Sequence, residues 1–118
     1  MSDCIFCRIV AGEIPAQIVW QDDDVFAFRD VAPRAPVHVL VVPRRHVPSV
    51  LGLSKRAEDV ALGGRLLTAA IDVARQEGLG EPGRGFRLVV NTGPEGGQSV
   101  DHVHVHVLGG RALAWPPG

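Results

Sequence analysis

Three histidines alternate with valines near the C-terminal end of the chain, at His102, His104 and His106. Successive residues of a β-strand point to opposite faces, so an extended segment would place the three imidazoles on one face and the valines on the other. Same-face neighbours lie about 6.6 Å apart when the strand rises about 3.3 Å per residue, so three ligands for one metal would be strained. The spacing favours an extended anionic ligand; the alternative is a histidine-rich strand without a chemical role.

A polar, glycine-rich segment, residues 91–99, leads into the histidines. Gly96 and Gly97 allow the backbone to turn and to approach a ligand closely, and successive amides in such a turn can form an anion-binding concavity. Ser99 adds a hydroxyl group beside them. Turns of this composition join many hairpins, so an ordinary turn is the alternative. Its position directly before three aligned imidazoles favours a phosphate-binding loop.

Further motifs accompany the triad over nearly the whole chain. They are Gly97-Gln98-Ser99-Val100, Val107-Leu108-Gly109-Gly110 and Trp115-Pro116-Pro117-Gly118, with Ile5-Phe6, Glu13-Ile14-Pro15-Ala16 and Ala35-Pro36-Val37-His38 nearer the N-terminus. Together they resemble the histidine triad family, specifically its nucleoside phosphoramidate hydrolase branch. The resemblance implies that His104 attacks the α-phosphorus of a purine nucleotide and forms a nucleotidyl-histidine, which water then cleaves. Neutral imidazole is a competent nucleophile, and covalent attack divides one difficult displacement into two easier steps.

The other site residues follow from the triad and from the resemblance. His102, His106, Ser99 and the amides of residues 97–99 are placed either to offset charge on the non-bridging oxygens or to protonate the departing amine. The resemblance implies a nucleotide-binding set: base-pocket walls Phe6, Phe28 and Val31, Asp30 on the ribose, Asn91 on the phosphate side, and also His38, Gly97, Gln98, Ser99 and Trp115. Without the resemblance, the apolar members would be ordinary core residues, and Asp30 and Asn91 would be turn formers.

Cys4 and Cys7 are the only cysteines, in a C-x-x-C spacing. With no apolar leader and no membrane-length apolar run, we expect a cytoplasmic protein, in which a structural disulfide is uncommon. A redox role would need a thioredoxin-like context that the chain lacks, and a zinc site needs two more ligands. The family resemblance implies that these are His46 and His102. Two idle thiols are the alternative; as a metal ligand, His102 would brace the strand instead of acting as an acid.

Composition indicates a compact soluble enzyme. A chain of 118 residues with 46% apolar residues can build one core, so we expect a single domain over residues 1–118. A formal net charge of −1 gives no general attraction to nucleic acid or to anionic membranes, so neither is an expected partner.

The pattern of apolar and turn residues predicts an α+β fold. We expect a short helix over residues 5–10, a helix over 54–76 with Ser54 as N-cap, and strands over 18–21, 25–29, 37–42, 86–90 and 102–108. Sequential strands with one long inserted helix favour an antiparallel sheet covered on one face. The resemblance implies five strands in that sheet and a sheet continued across a homodimer. Apolar residues on two sides of the long helix also favour a dimer.

The sequence is consistent with three functions. The first is a homodimeric hydrolase that cleaves the P–N bond of purine nucleoside 5′-phosphoramidates, releasing AMP and an amine. The second is a dinucleoside polyphosphate hydrolase that uses the same His104. The third is a nucleotide-binding interaction module with vestigial activity. The C-terminal Trp115 motif favours the first over the second, and the complete polar set argues against the third.

Overall fold

The computed structural model describes residues 3–118. In chain order it contains helix α1 (Ile5–Val10), strands β1 (Ile18–Gln21), β2 (Val25–Arg29) and β3 (Val37–Pro43), a 3₁₀ turn (Val50–Gly52), helix α2 (Ala57–Gln76), strand β4 (Phe86–Val89), helix α3 (Gly93–Gly96) and strand β5 (Val105–Gly109). The strands form one sheet in the order β1-β2-β3-β5-β4, and every neighbouring pair is antiparallel. The predicted α+β class and five-stranded antiparallel sheet are confirmed.

The two faces of the sheet support different structures. Val39, Val41 and Val107 face α2, where they pack with buried residues such as Leu66 and Val73 into the larger core. Alternate residues of the same strands face α1, where Leu40 and Val42 pack with Phe6, Ile9 and Phe28. Because side chains alternate along a strand, the valines of the triad segment anchor the α2 face while His106 faces α1.

The long helix begins two residues later than the sequence predicts. Arg56 is its N-cap residue, and no side chain caps the helix there. The Ser54 hydroxyl and amide instead donate to Asp59 Oδ2, at 2.7 and 2.9 Å, and Arg45 Nη1 lies 2.8 Å from Asp59 Oδ1. These donors, the Ser54 hydroxyl foremost, lower the pKa of Asp59 to about 2. The carboxylate therefore organises the helix start in place of the predicted serine cap.

The last strand also begins later than predicted. It starts at Val105, so His102 and His104 lie outside the sheet in an irregular segment. The Val103 amide of that segment donates to the Val47 carbonyl oxygen at 2.7 Å, which ties it to the chain after β3. Among the described residues, no helix is long and apolar enough to cross a membrane.

Candidate functional site

A pocket of about 280 Å³ opens on the α1 face of the sheet, beside the triad. Its walls are largely apolar, with a few polar side chains among them. The lining residues are Ile5, Phe6, Ile9, Ile14, Pro15, Ala16, Phe28, Leu40 and Val100 on the apolar side, with Arg29, Asp30, Val31, Ser99, His104 and His106 around them. An apolar cleft with a few convergent polar groups suits a flat ring system attached to an anionic group.

His104 is oriented by a backbone carbonyl. Its Nδ1 lies 2.7 Å from the His102 carbonyl oxygen, which can only accept, so Nδ1 carries the proton and Nε2 carries the lone pair. The ring is buried, and the Phe6 ring meets it edge-on, with centroids 5.1 Å apart. An imidazole fixed with its Nε2 lone pair on the lining of the pocket is the arrangement that a nucleophile requires.

His106 is oriented by a second histidine. The Arg34 amide donates to His38 Nδ1 at 3.0 Å, so the His38 proton is on Nε2. His38 Nε2 lies 2.8 Å from His106 Nδ1, which accepts a hydrogen bond from it. The proton of neutral His106 is therefore on its own Nε2. That atom is buried and has no hydrogen-bond partner among the described residues. A buried donor without a partner is costly, so a ligand acceptor at this position would be favoured.

Both of these histidines are electrically neutral near pH 7. Burial, followed by the neighbouring His104 and His38, lowers the pKa of His106 to about 4, against an opposing effect of Asp30. Burial also lowers the pKa of His38, and Asp30 again opposes this shift. His106 therefore presents a neutral N–H group to the pocket. This favours the first of its two predicted roles, hydrogen bonding to a phosphate oxygen, over protonation of the leaving group.

A cluster of four possible metal ligands lies next to the pocket. His102 Nε2 donates to the Pro43 carbonyl oxygen at 2.8 Å, so the lone pair on its Nδ1 faces the cluster. That Nδ1 lies 3.4 Å from Cys4 Sγ, 3.5 Å from Cys7 Sγ and 3.2 Å from His46 Nδ1, and Cys7 Sγ lies 3.3 Å from His46 Nδ1. Zinc bonds of about 2.3 Å to sulfur and about 2.05 Å to nitrogen would place tetrahedral ligand atoms about 3.3 Å apart for two nitrogens and about 3.6 Å apart for nitrogen and sulfur. The four ligand atoms therefore fit one tetrahedral ion.

Comparison with known proteins agrees with this geometry. The HIT domain family matches residues 11–113. The chain belongs to the HIT family. It is similar to a protein of Arabidopsis thaliana named adenylylsulfatase HINT1, with 51% identity over 99% of this chain and 78% of that protein. It is also similar to a 14 kDa zinc-binding protein of Brassica juncea, with 50% identity over 98% of this chain and all of that protein. The crystal structure of a HIT family hydrolase from Legionella pneumophila superposes with a TM-score of 0.92, at 44% identity, over 98% of this chain and 100% of that one.

Most of the site residues predicted from the sequence lie together in the HIT pocket. Phe6, Phe28, Asp30 and Ser99 line it with His104 and His106. Asp30 is also a turn former, which was the alternative prediction, because its Oδ1 accepts a hydrogen bond from the Ala32 amide at 2.8 Å. Val31 is only at the rim, with 99% of its surface exposed. His38 is not part of the lining but contacts two residues that are, with its Nε2 2.8 Å from His106 Nδ1 and 3.4 Å from Asp30 Oδ2.

His102 is placed with the possible metal ligands and not in the catalytic set. Its ring is fully buried, with one nitrogen on the Pro43 carbonyl and the other in the cluster, so neither reaches the pocket. The notion that it offsets phosphate charge or protonates an amine is therefore corrected. This agrees with the alternative in which His102 braces its segment as a ligand.

The glycine-rich loop contributes fewer groups to the HIT pocket than predicted. The Gln98 side chain accepts the Gly93 amide and donates to the Pro48 and Val100 carbonyls, so it holds the loop together. The Gly97 and Gln98 amides donate to Pro94 and Gly93 at the end of α3, where Gly97 has a φ of +78°. Of the three amides of residues 97–99, only that of Ser99 makes no backbone hydrogen bond of this kind within the described part of the chain. Gln98 and Gly97 therefore act by shaping the loop.

Two predicted residues lie outside the pocket lining, and several residues that were not predicted belong to it. Asn91 and Trp115 do not line the pocket, and Trp115 is 80% exposed at the C-terminal tail. Four apolar residues of the pocket wall were not predicted from the sequence: Ile9, Ile14, Leu40 and Val100. Helical spacing offered a signal for Ile9, which lies three residues after Phe6 on α1. Leu40 offered none, because a buried strand residue reads as core.

Proposed function

We propose that this HIT protein is a hydrolase that cleaves the P–N bond of purine nucleoside 5′-phosphoramidates through a nucleotidyl intermediate on His104. The observation that carries the proposal is the pair of fixed tautomers in one pocket. His104 Nδ1 is held by a carbonyl, so its Nε2 is nucleophilic, and His106 Nε2 is a buried donor without a partner. A nucleophile beside an unpartnered donor matches attack on phosphorus with stabilisation of a phosphoryl oxygen.

The steps follow from these positions. The base lies between Phe6, Phe28 and Leu40, and Asp30 faces the ribose. The His104 Nε2 lone pair forms a bond to the α-phosphorus while the bond from phosphorus to the amine nitrogen breaks. His106 donates a hydrogen bond to a non-bridging oxygen, and Ser99 is the remaining hydroxyl on the pocket lining that can pass a proton to the amine. Water then attacks phosphorus, the bond from phosphorus to His104 Nε2 breaks, and the proton released by the water returns to Ser99, which restores both residues and releases AMP.

A second candidate is hydrolysis of adenylyl sulfate. The similar Arabidopsis protein is named an adenylylsulfatase, and it shares half of its aligned residues with this chain. Sulfate departs as a stable anion without needing a proton, whereas an alkyl amine needs one. The lowered pKa of His106, about 4, keeps that residue neutral near pH 7, so it is not an acid that could protonate an amine, which suits the sulfate reaction. Both reactions would use the same adenylyl group and the same His104.

We also propose that the cluster of Cys4, Cys7, His46 and His102 holds one zinc ion. The ligand geometry supports this, as does the name of the similar Brassica zinc-binding protein. A bound zinc ion would supply a structural crosslink between α1, the chain after β3 and the triad segment. Metal analysis of protein purified without chelators should give about one zinc per chain, and a Cys4→Ser/Cys7→Ser variant should hold none. Wild-type protein free of zinc would refute this part of the proposal.

We further propose a homodimer. Val60 and Leu67 lie on the outer side of α2 and are 62% and 52% exposed. Apart from adjacent residues and the nearby backbone of the helix itself, no described atom lies within 4 Å of where a Cβ would stand at Gly63 or Gly64, so this part of the helix has room for a second backbone. Strand β4 is an edge of the sheet. Sedimentation should give a dimer for the wild type and a monomer for Leu67→Glu; a monomeric wild type would refute it.

The function is tested by steady-state hydrolysis of four substrates. An adenosine 5′-phosphoramidate with an alkyl amine, adenylyl sulfate, a diadenosine polyphosphate and a guanosine phosphoramidate would be compared at equal enzyme concentration, with His104→Ala as control. The proposal expects the highest kcat/KM on a phosphoramidate and no turnover by the variant. A higher value on adenylyl sulfate would establish the second candidate. Dominant activity on the diadenosine substrate, or no activity of wild-type protein on any of them, would refute both.

A further inference from the structure

We propose that the cluster of Cys4, Cys7, His46 and His102, when it holds its metal ion, positions His104 for attack and so sets the rate of turnover more than the affinity for nucleotide. His102 is the positioning residue that connects the two sites. The inference rests on the proposed function in two respects, which are that His104 is the nucleophile and that the cluster holds a zinc ion.

His102 belongs to both sites at once. Its ring Nδ1 faces the two sulfur atoms and His46, and its backbone carbonyl oxygen accepts the His104 Nδ1 proton at 2.7 Å. Its ring Nε2 donates to Pro43, and its amide donates to the Val100 carbonyl at 2.9 Å. Every polar atom of this residue is therefore committed. Because ring and carbonyl belong to one residue, a displacement of the ring displaces the acceptor that orients the nucleophile.

The sheet does not hold this part of the chain. Strand β5 begins at Val105, so the backbone of residues 102–104 lies before the ladder of the sheet. The amide of Val103 donates to the carbonyl of Val47, and Val47 directly follows the cluster residue His46. Two anchors of the nucleophile's segment, the His102 ring and the Val103 amide, therefore lead to the cluster, whereas the His102–Pro43 hydrogen bond ties it to the end of β3. Losing the ion would loosen the first two together.

Helix α1 adds a third link. Cys4 and Cys7 flank Phe6, whose ring meets His104 edge-on at 5.1 Å and His102 at 5.9 Å. The helix has only six residues, and helices this short are not stable by themselves. The cluster therefore also holds the aromatic wall that prevents the His104 ring from turning.

The consequence is specific to the chemical step. A His104 ring without its carbonyl acceptor can carry its proton on Nε2, which removes the lone pair from the attacking atom. A misplacement of about 1 Å in a reacting group costs about 100-fold in rate, and loss of an outer contact at such a site typically costs 10- to 100-fold. Phe28 and Leu40 lie on strands β2 and β3, which the sheet holds independently of the cluster, so the pocket would keep most of its affinity for the base even with Phe6 loosened.

The test compares metal-loaded wild-type protein with three metal-free forms: chelated wild type, Cys4→Ser/Cys7→Ser and the milder His46→Asn. Leu66→Ala serves as the control for stability, because Leu66 is buried in the core on the α2 face. Each form is assayed below its Tm for kcat and KM on the alkyl phosphoramidate and for the Kd of AMP. Nitrogen-15 NMR of the imidazoles at one fixed pH reports which His104 nitrogen carries the proton.

The proposal expects kcat to fall about 10- to 100-fold in the metal-free forms, with KM and the Kd of AMP changed far less. It expects the His104 signal to change from a single Nδ1–H tautomer to a mixture, and zinc to restore the chelated wild type but not the double variant. Equal kcat values in all metal-free forms and in Leu66→Ala, with an unchanged His104 signal, would overturn it. Because the NMR and AMP measurements need no hydrolysis, they decide the question even when no phosphoramidate is cleaved.

Discussion

His106 is predicted to act as a neutral hydrogen-bond donor, and the contrast between His106→Gln and His106→Ala tests this. The pKa of about 4 implies that roughly one His106 in a thousand is protonated at pH 7, which corresponds to a cost of about 4 kcal/mol for forming the cation. A bound phosphate typically raises a neighbouring pKa by about 1 to 3 units. At pH 8, even the upper end of that range leaves only about a tenth of the residue charged. Glutamine places an amide N–H near Nε2 and cannot become a cation, whereas alanine places nothing there.

The expected magnitudes follow from the lost hydrogen bond. A hydrogen bond to a charged group contributes about 1.5 to 3 kcal/mol, so His106→Ala should lower kcat/KM about 10- to 150-fold. The loss should be similar for an alkyl amine and for an acidic phenol as leaving group, because the phosphoryl oxygen is the same in both. His106→Gln should retain kcat/KM within about 10-fold of wild type on both substrates.

The assay is kcat/KM at pH 8 for both variants on both substrates, with the Tm of each variant as the check on folding. Refutation would be a glutamine variant as slow as the alanine variant on the alkyl amine, with both near wild type on the phenol. That pattern would make His106 the proton donor and would mean that substrate binding restores its charge.

Three further predictions concern the proton donor, acid stability and the start of α2. Ser99→Ala should slow the alkyl phosphoramidate about 10²- to 10⁴-fold more than the phenol ester, and equal losses in kcat/KM would remove Ser99 as a donor. Because burial lowers the pKa of His106, the unfolded state binds a proton in a pH range where the folded state does not, so the free energy of unfolding should fall as pH drops from about 6.5 towards 4. Urea denaturation should show a shallower fall for His106→Gln than for wild type. The same dependence on pH in both proteins would contradict the lowered pKa. Asp59→Asn should lower the Tm at pH 7 without changing kcat. Because the pKa of Asp59 is lowered to about 2, the difference in Tm from wild type should shrink as pH falls from about 4 towards 2. A difference in Tm that stays constant over this range would contradict the lowered pKa.

Local patterns were enough to predict most of the fold. Strands β1 and β2 have the predicted bounds, because short runs of β-branched and aromatic residues flank a turn whose Asp22 carboxylate accepts two backbone amides. Helix α1 also has its predicted bounds. The start of α2 was wrong, because Ser54 is a good cap by type while its hydroxyl donates to Asp59. Helix α3 was missed, since its Gly and Pro residues are typical of plain turns.

The candidate site was predictable where it depends on local sequence and not where it depends on distant pairs. The alternation of the triad and the resemblance together identified His104 and the four cluster residues. The role of His38 could not be foreseen, because it acts through His106, which is 68 positions away and adjacent only in the folded sheet. The use of Gln98 within the loop likewise depends on the Pro48 carbonyl, 50 positions away.

The central claim is that the reaction passes through a covalent nucleotidyl group on His104. The most direct measurement is single-turnover reaction of wild-type protein with an adenosine phosphoramidate, quenched in time series and analysed by intact-protein and peptide mass spectrometry. We predict a transient mass increase of one adenylyl group, located on the peptide that contains His104 and absent from a folded, AMP-binding His104→Ala variant. Turnover by wild-type protein without any such adduct at any time, or substantial hydrolysis by His104→Ala, would contradict the account.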